Sequence, residues 1–230
     1  MGKTTGRNPT AGSLPFNPFH VNAAERPTQM RLFSYVVRYD FGFAPNPFHG
    51  WCTLADCKPL IREFAEPGDW IMGTSSVGNR RGITGRLVYA MQVDETLTFD
   101  DYWHDPRFVS KHPNLRGSRM LQFGDNIYHR DSAGAWIQDD SHHSRDDGSP
   151  EIRNIEHDTR IDRVLVGRRF VYFGEKGPKI PKELSDGYPL GLVHSGPGHR
   201  YQFEEKQTAD AIDWLESLGS GVQDRPRDWT

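Results

Sequence analysis

The sequence predicts an α+β domain with a mainly antiparallel, curled sheet and a few short helices. Three observations carry that prediction. β-type runs recur at 32–37, 69–75, 86–93, 164–166 and 170–173. The helical stretches between them are short and do not alternate regularly with strands, as a doubly wound parallel sheet requires. Residues 79–85, rich in Gly and carrying Arg80 and Arg81, join two of the strands as a hairpin turn would.

Each element has its own signal. Residues 1–29 are rich in Asn, Pro, Thr and Gly without sustained periodicity, which reads as a flexible N-terminal arm. The body starts with Leu32, Phe33, Ser34, Tyr35, Val36 and Val37, a strand buried on both faces. Pro59 suits the first turn of a helix that Pro67-Gly68 stops near Glu66, with Leu60, Ile61 and Phe64 inward. Thr98 caps another helix. Residues 117–154 are rich in Asp, His, Ser and Gly with little periodicity, the mark of a long functional or disordered loop. Residues 201–203 suggest a last short strand. Residues 208–218 read as a helix capped by Thr208 and stopped by Gly219, with Ile212, Leu215 and Leu218 inward. The final ten residues read as a polar tail. The expected organisation is an arm at 1–29, a domain at 30–205, and a C-terminal helix with tail at 206–230.

Composition narrows the function. In 230 residues, 28 Lys and Arg face 31 Asp and Glu, giving a net charge of -3. That balance does not suit a general nucleic-acid coat, whose pI lies above ~9. Hydrophobic residues are only 35%, but aromatics reach 12%, so a largely aromatic core is expected. No apolar run approaches the ~18 residues of a membrane span, and the first residues lack the apolar stretch of a signal peptide. The expected compartment is the cytoplasm. Walker A, GxGxxG, GxSxG and HExxH motifs are missing, so ATP hydrolysis, dinucleotide binding and zincin proteolysis lose their usual sequence support.

Three groups of residues carry candidate chemistry. His49, Cys52 and Cys57 could ligate a metal only with irregular spacing, since zinc sites favour a tight Cys-x2-Cys knuckle. Their plain reading is two buried cysteines beside a loop histidine. A nucleophilic cysteine would need a base, and His49 is the nearest in sequence. The second group lies in the polar stretch: Asp125, His129, Asp139, Asp140, His142 and His143, followed by His157 and Asp158. A histidine oriented by a carboxylate is a general acid or base. Adjacent histidines on an extended segment point to opposite faces, which places His142 and His143 on different sides. The third group is aromatic: Phe48, Trp51, Trp70, Tyr89, Tyr102 and Trp103 are core packing or a stacking surface for a planar ligand. Arg80 and Arg81 are solvated charges or phosphate contacts.

Seven segments carry a resemblance. They are 32–37, 41–50, 52–59, 68–70, 85–91, 123–129 and 140–144, including Phe41-Gly42-Phe43-Ala44-Pro45-Asn46-Pro47-Phe48-His49-Gly50 and Asp140-Ser141-His142-His143-Ser144. Over about 31–175 the chain resembles the second nucleotide-modification-associated domain family, found in bacteria and phages beside genes for modified DNA bases. Gly68-Asp69 before a strand, the strand 87–93 and the segment ending Trp103-His104-Asp105-Pro106 are similar to the EVE and ASCH branches of the PUA-like superfamily. That likeness implies a curled antiparallel β-barrel with flanking short helices, here carrying a long His/Asp-rich insertion. It also implies an aromatic pocket for a modified or flipped base. In that pocket Trp70, Thr74, Ser75 and Tyr89 would sit by position.

The combined expectation is recognition of a nucleobase, nucleotide or nucleic acid in a DNA-modification or phage-defence setting. Phe48, Trp51, Trp70 and Tyr89 would stack the base. Asn46, Thr74 and Ser75 would read its edge, Arg80 and Arg81 would meet phosphate, and His49, His129, His142 and Asp125 would line one side of the pocket. The alternative is an enzyme of the same system, with His129 or His142 as general base and Asp125 or Asp140 orienting it. The sequence assigns no cofactor, metal or oligomeric state, and no membrane partner.

Overall fold

The structure, a computed structural model, describes residues 30–76, 85–193 and 196–229. The expected arm at 1–29 and the turn arginines Arg80 and Arg81 lie outside the described residues. In chain order the elements are β1 (Leu32–Val37), β2 (Cys52–Leu54), α1 (Pro59–Phe64), β3 (Trp70–Ser75), β4 (Leu87–Gln92), β5 (Glu95–Leu97) and α2 (Phe99–His104). A 3-10 turn (Pro106–Lys111), α3 (Arg119–Gln122), β6 (Tyr128–Arg130), β7 (Trp136–Gln138) and α4 (Ile152–Thr159) follow. The chain closes with β8 (Val164–Gly167), β9 (Phe170–Tyr172), β10 (His199–Arg200), α5 (Glu205–Ser217) and β11 (Gly221–Val222).

The α+β class holds, but the sheet differs from the expected barrel. Six strands pair in the order β10-β1-β3-β4-β9-β11. The central hairpin β3–β4 is antiparallel, as its Gly-rich connection suggested. β1 and β3, however, run parallel, with Leu32 opposite Trp70 and Val37 opposite Ser75. β9 and β11 are parallel as well. Parallel neighbours need a crossover, and the chain between β1 and β3 supplies one through β2 and α1. Among the described residues no closed or curled barrel forms. The edges are the two-residue strands β10 and β11, too short to pair with each other and close a ring.

Alternation along β1 divides the core. Phe33, Tyr35 and Val37 join Ile71, Tyr89, Met91 and Tyr172 on one face, packed against Cys52 and Leu54 of β2 and Leu165 of β8. Strands β2, β8 and β5 form a second sheet there. Leu32, Met72, Leu87 and Ala90 point to the other face, where Ala211, Ile212 and Leu215 of α5 cover them. Each such side chain contributes roughly 1.5–3 kcal/mol when fully buried. A third cluster gathers Phe43, Phe99, Tyr102, Phe108, Phe123 and Tyr128 around the 99–128 segment.

Local expectations are corrected in four places. In α1, Leu60 and Phe64 are exposed while Ile61 and Arg62 turn inward. Arg62 can be buried because its Nη atoms donate to the carbonyls of Ile161, Arg163 and Asp158 at 2.5–2.8 Å and its Nε to Cys57 O at 2.9 Å. The 117–154 stretch is built from α3, the β6–β7 hairpin and turns, with Ile127 and Tyr128 fully buried. The last short strand falls at His199–Arg200 rather than at 201–203. The terminal residues are docked rather than free. Trp229 Nε1 donates to Phe41 O at 2.6 Å, and Arg227 Nη2 donates to Arg38 O at 2.8 Å.

Candidate functional site

A cavity of about 440 Å³ opens beside the C-terminal half of β1. Tyr35 and Val37 form part of its floor, and the loop after β1 brings Arg38, Tyr39, Phe41 and Phe43 to it. Cys57, Lys58 and Ile61 enter from the start of α1, His157 and Arg160 from the end of α4, and His142 and His143 from the turn at 141–144. None of the residues lining it is acidic, whereas Arg38, Lys58 and Arg160 are cationic. Lys58 Nζ sits 4.7 Å from the centre of the Tyr35 ring, and Arg38 lies over Tyr39 at 5.2 Å.

The two adjacent histidines share this cavity because their segment is a turn and not a strand. Ser144 N donates to Ser141 O at 3.1 Å, and Ser144 Oγ to Asp139 O at 3.0 Å. The His142 ring packs 4.6 Å from Phe41 and the His143 ring 4.5 Å from Phe43, centre to centre. Burial, helped by the charge of His143, lowers the pKa of His142 to about 4, so it is neutral at pH 7. The His143 carbonyl is pinned by Asn154 Nδ2 at 2.7 Å and Gln138 Nε2 at 3.2 Å.

Behind the wall lies a polar cluster. His143 Nδ1 is 2.9 Å from Asp158 Oδ2. A carboxylate only accepts, so Nδ1 is the donor in this bond. Nε2 faces Cys57 Sγ at 3.9 Å. Asp158 also accepts from Tyr128 Oη at 3.1 Å, and from His157 Nδ1 and the Cys57 amide at 2.9 Å each. Burial alone would raise this carboxyl, but the hydrogen bonds from His143 and His157 outweigh it and hold Asp158 well below the usual carboxylate range. Burial pushes the Cys57 thiol up, reinforced by Asp158 and Asp56 and opposed by Lys58 and Arg62. Cys57 and Lys58 both adopt positive φ, 58° and 40°, in the region that β-carbon sterics disfavour.

Asp56 is fully buried, and neither carboxylate oxygen has a protein partner. Burial and the charges of Asp158 and Asp125 raise it well above the ordinary range, opposed by Arg62. Ligand atoms of Asp56, His143 and Asp158 lie within 4.8 Å of one another, a spacing that a cation could span. Asp158 already accepts four hydrogen bonds, and the His143 imidazole turns its other nitrogen to Cys57.

Most residues singled out in the sequence lie elsewhere. His142 is in the cavity; His49 is in an exposed turn at φ 60°. Asn46 is buried, donating to Phe123 O and accepting from Phe48 N and Lys111 Nζ. Asp125 is fully buried, accepting from Thr53 Oγ1 at 2.6 Å and Tyr102 Oη at 2.8 Å. His129 stacks on Trp103 at 4.0 Å, and Asp140 is exposed beside Gly148. Phe48 stacks on Trp229, and Trp51 meets Arg107 and Arg168. Trp70 packs in the core beneath α5. Thr74 Oγ1 donates to Tyr35 O, Ser75 Oγ accepts from Arg86 N, and the Tyr89 hydroxyl is 3.0 Å from that of Tyr35. These groups are spread over separate interiors. The aromatic residues at the cavity are instead Tyr35, Tyr39, Phe41 and Phe43, and the histidines held by a carboxylate are His143 and His157. The quoted run beginning Phe41-Gly42-Phe43 and the doublet His142-His143 held the signal for them.

The fold and the cavity define an α+β domain with an aromatic, cationic cavity beside β1. The chain belongs to the nucleotide modification associated domain 2 family, whose model matches residues 29–230. It is thus a domain associated with nucleotide-modification systems, as its motifs indicated. No curated protein and no solved structure matches the chain. Among the described residues no helix is long and apolar enough to cross a membrane.

Proposed function

We propose that the cavity beside β1 binds a nucleotide, or a base lifted from a nucleic-acid strand, as the recognition step of a DNA-modification or phage-defence system. One observation carries the reading: the cavity joins aromatic walls to three cationic side chains without a single acidic one. A planar, anionic ligand satisfies both features. Its volume lies within the ~300–1,000 Å³ of small-molecule sites. Phe41 and Tyr39 offer stacking faces, worth ~1–3 kcal/mol per base. Arg38, Lys58 and Arg160 supply charge for a phosphate. His142, neutral at pH 7, can donate to or accept from a base edge.

The test is calorimetric titration with the 5′-monophosphates of the common deoxynucleosides and of base-modified ones. At least one should bind, and Phe41→Ala should weaken it about tenfold or more, the equivalent of ~1.4 kcal/mol. Arg160→Ala should weaken a monophosphate more than its nucleoside. Failure of every nucleotide to bind, or equal binding by Phe41→Ala, would overturn the reading.

A further inference from the structure

We propose that Cys57, His143 and Asp158 form a nucleophilic relay at the cavity wall, and that the protein cleaves an acyl or amide group carried by the ligand bound there. The inference rests on the cavity being a nucleotide site only for the identity of the ligand; the relay stands on its own geometry.

Four observations converge. Cys57 is the cavity's thiol, half-buried and facing the ligand space, whereas Cys52 is sealed in the core. His143 turns its Nε2 toward that thiol, at 3.9 Å, longer than a working hydrogen bond but in keeping with the looser contacts of ligand-free sites. Asp158 fixes the imidazole through Nδ1 and is itself held by Tyr128 and the Cys57 amide. It is a positioning residue, and it ties the nucleophile's backbone to its base. Finally, consecutive positive φ at Cys57 and Lys58 hold the thiol at a sharp turn, and strain of this sort persists where surrounding structure over-determines it. Buried Arg62 provides that constraint, bonding the carbonyls of both Cys57 and Asp158.

The chemistry balances with water as the only co-reactant. The Sγ proton passes to His143 Nε2 while the sulfur pair forms a bond to the carbonyl carbon and the π pair moves to oxygen. The tetrahedral adduct collapses, the carbon–nitrogen or carbon–oxygen bond breaks, and the leaving group departs with the proton from Nε2. Water then attacks the thioester and gives a proton to Nε2. The C–S bond breaks and the sulfur recovers that proton, so one water is consumed and Cys57 is restored.

The experiment labels the full chain with iodoacetamide and, separately, with p-nitrophenyl acetate, locating adducts by mass spectrometry of peptides. Cys57 should be alkylated and acetylated while Cys52 stays unmodified. Alkylation should be at least about tenfold faster than in the urea-unfolded chain, because His143 Nε2 takes the Sγ proton as the sulfur attacks, although burial raises the pKa of the resting thiol. His143→Gln should slow acetylation of Cys57 about 100-fold, within the range for losing a general base. Asp158→Asn should slow acetylation more than it lowers the melting temperature of the chain would account for, and should shift its pH profile. A wild-type Cys57 that reacts no faster than in the unfolded chain overturns the relay, with no need for either variant to fold. So does stoichiometric zinc or manganese in the purified protein whose removal by chelator frees a previously silent thiol. The two readings fail separately: a reactive Cys57 that no nucleotide protects removes the nucleotide site and leaves the relay, whereas nucleotide binding over an inert Cys57 does the reverse.

Discussion

Lys111 shows how much a single residue carries here. It is fully buried, and its Nζ lies within 2.8–3.1 Å of Asn46 O, Asn46 Oδ1, Trp51 O and Thr53 Oγ1. Burial lowers its pKa to about 8, opposed by Asp125 and Cys52. The charge is kept because removing it strands several acceptors. Lys111→Met should therefore destabilise the fold by about 3–5 kcal/mol, the cost of breaking a buried charged network on one side. Lys111→Met with Asp125→Leu should recover part of that loss. Urea unfolding monitored by tryptophan fluorescence measures both, and a cost below ~1 kcal/mol for the single variant would sink the account. Asn46 stood out in the sequence as a reader of a base edge and Asp125 as a carboxylate near candidate histidines. The structure gives them to this network, and sequence alone cannot separate a satisfied interior from a ligand surface.

Among elements, the strands were the easiest to read and the polar stretch the hardest. The run Leu32–Val37 is a strand over its full expected length, because six consecutive β-formers buried on both faces leave little alternative. The 128–138 hairpin escaped notice because His129 and Arg130 interrupt any apolar period, and their pairing with Ile137 and Trp136 replaces it. Close approach of backbones adds a second constraint that composition hides. A β-carbon on Gly167 in β8 would lie 2.2 Å from Gln92 O, at the point where the second sheet crosses β4. Gly167→Ala should cost about 1–3 kcal/mol, typical of overpacking against groups that cannot yield. Gly191→Ala, whose nearest neighbour would be 3.7 Å away, should stay within about 0.5 kcal/mol. Equal melting temperatures for the two variants would contradict this reading of the sheet crossing.

At the scale of the whole molecule, the C-terminal segment braces the cavity. β11 adds to the main sheet beside β9, and Gln223 N donates to Tyr172 O at 2.8 Å. Arg227 N bonds Asp40 Oδ2 at 3.1 Å, and the Tyr172 hydroxyl donates to the other Asp40 oxygen. Trp229 stacks on Phe48 while bonding the Phe41 carbonyl, so it holds the loop that forms the aromatic wall. Trp229→Ala should lower stability by about 2 kcal/mol, or roughly 4–8 °C in a chain of this size. It should also weaken nucleotide binding at a temperature where the variant is fully folded. A variant that melts earlier yet binds as tightly would show that the brace serves stability alone.

Local patterns along the chain were enough for the class of the fold, the positions of β1, β3, β4, β8 and β9, the Thr98 cap of α2, and the family. Those features depend on short-range chemistry: β-branched and aromatic runs, a cap that bonds the Asp101 amide at 3.0 Å, and motifs that survive as strings. Long-range contacts were needed to set β1 and β3 parallel, to leave the sheet open, and to close residues 227–229 over Phe41. They also decided that Cys57 meets His143 and not His49. The partners in that contact are 86 positions apart. Residues so distant meet only because a crossover, a hairpin and a turn each fold as they do, and no local pattern encodes their sum.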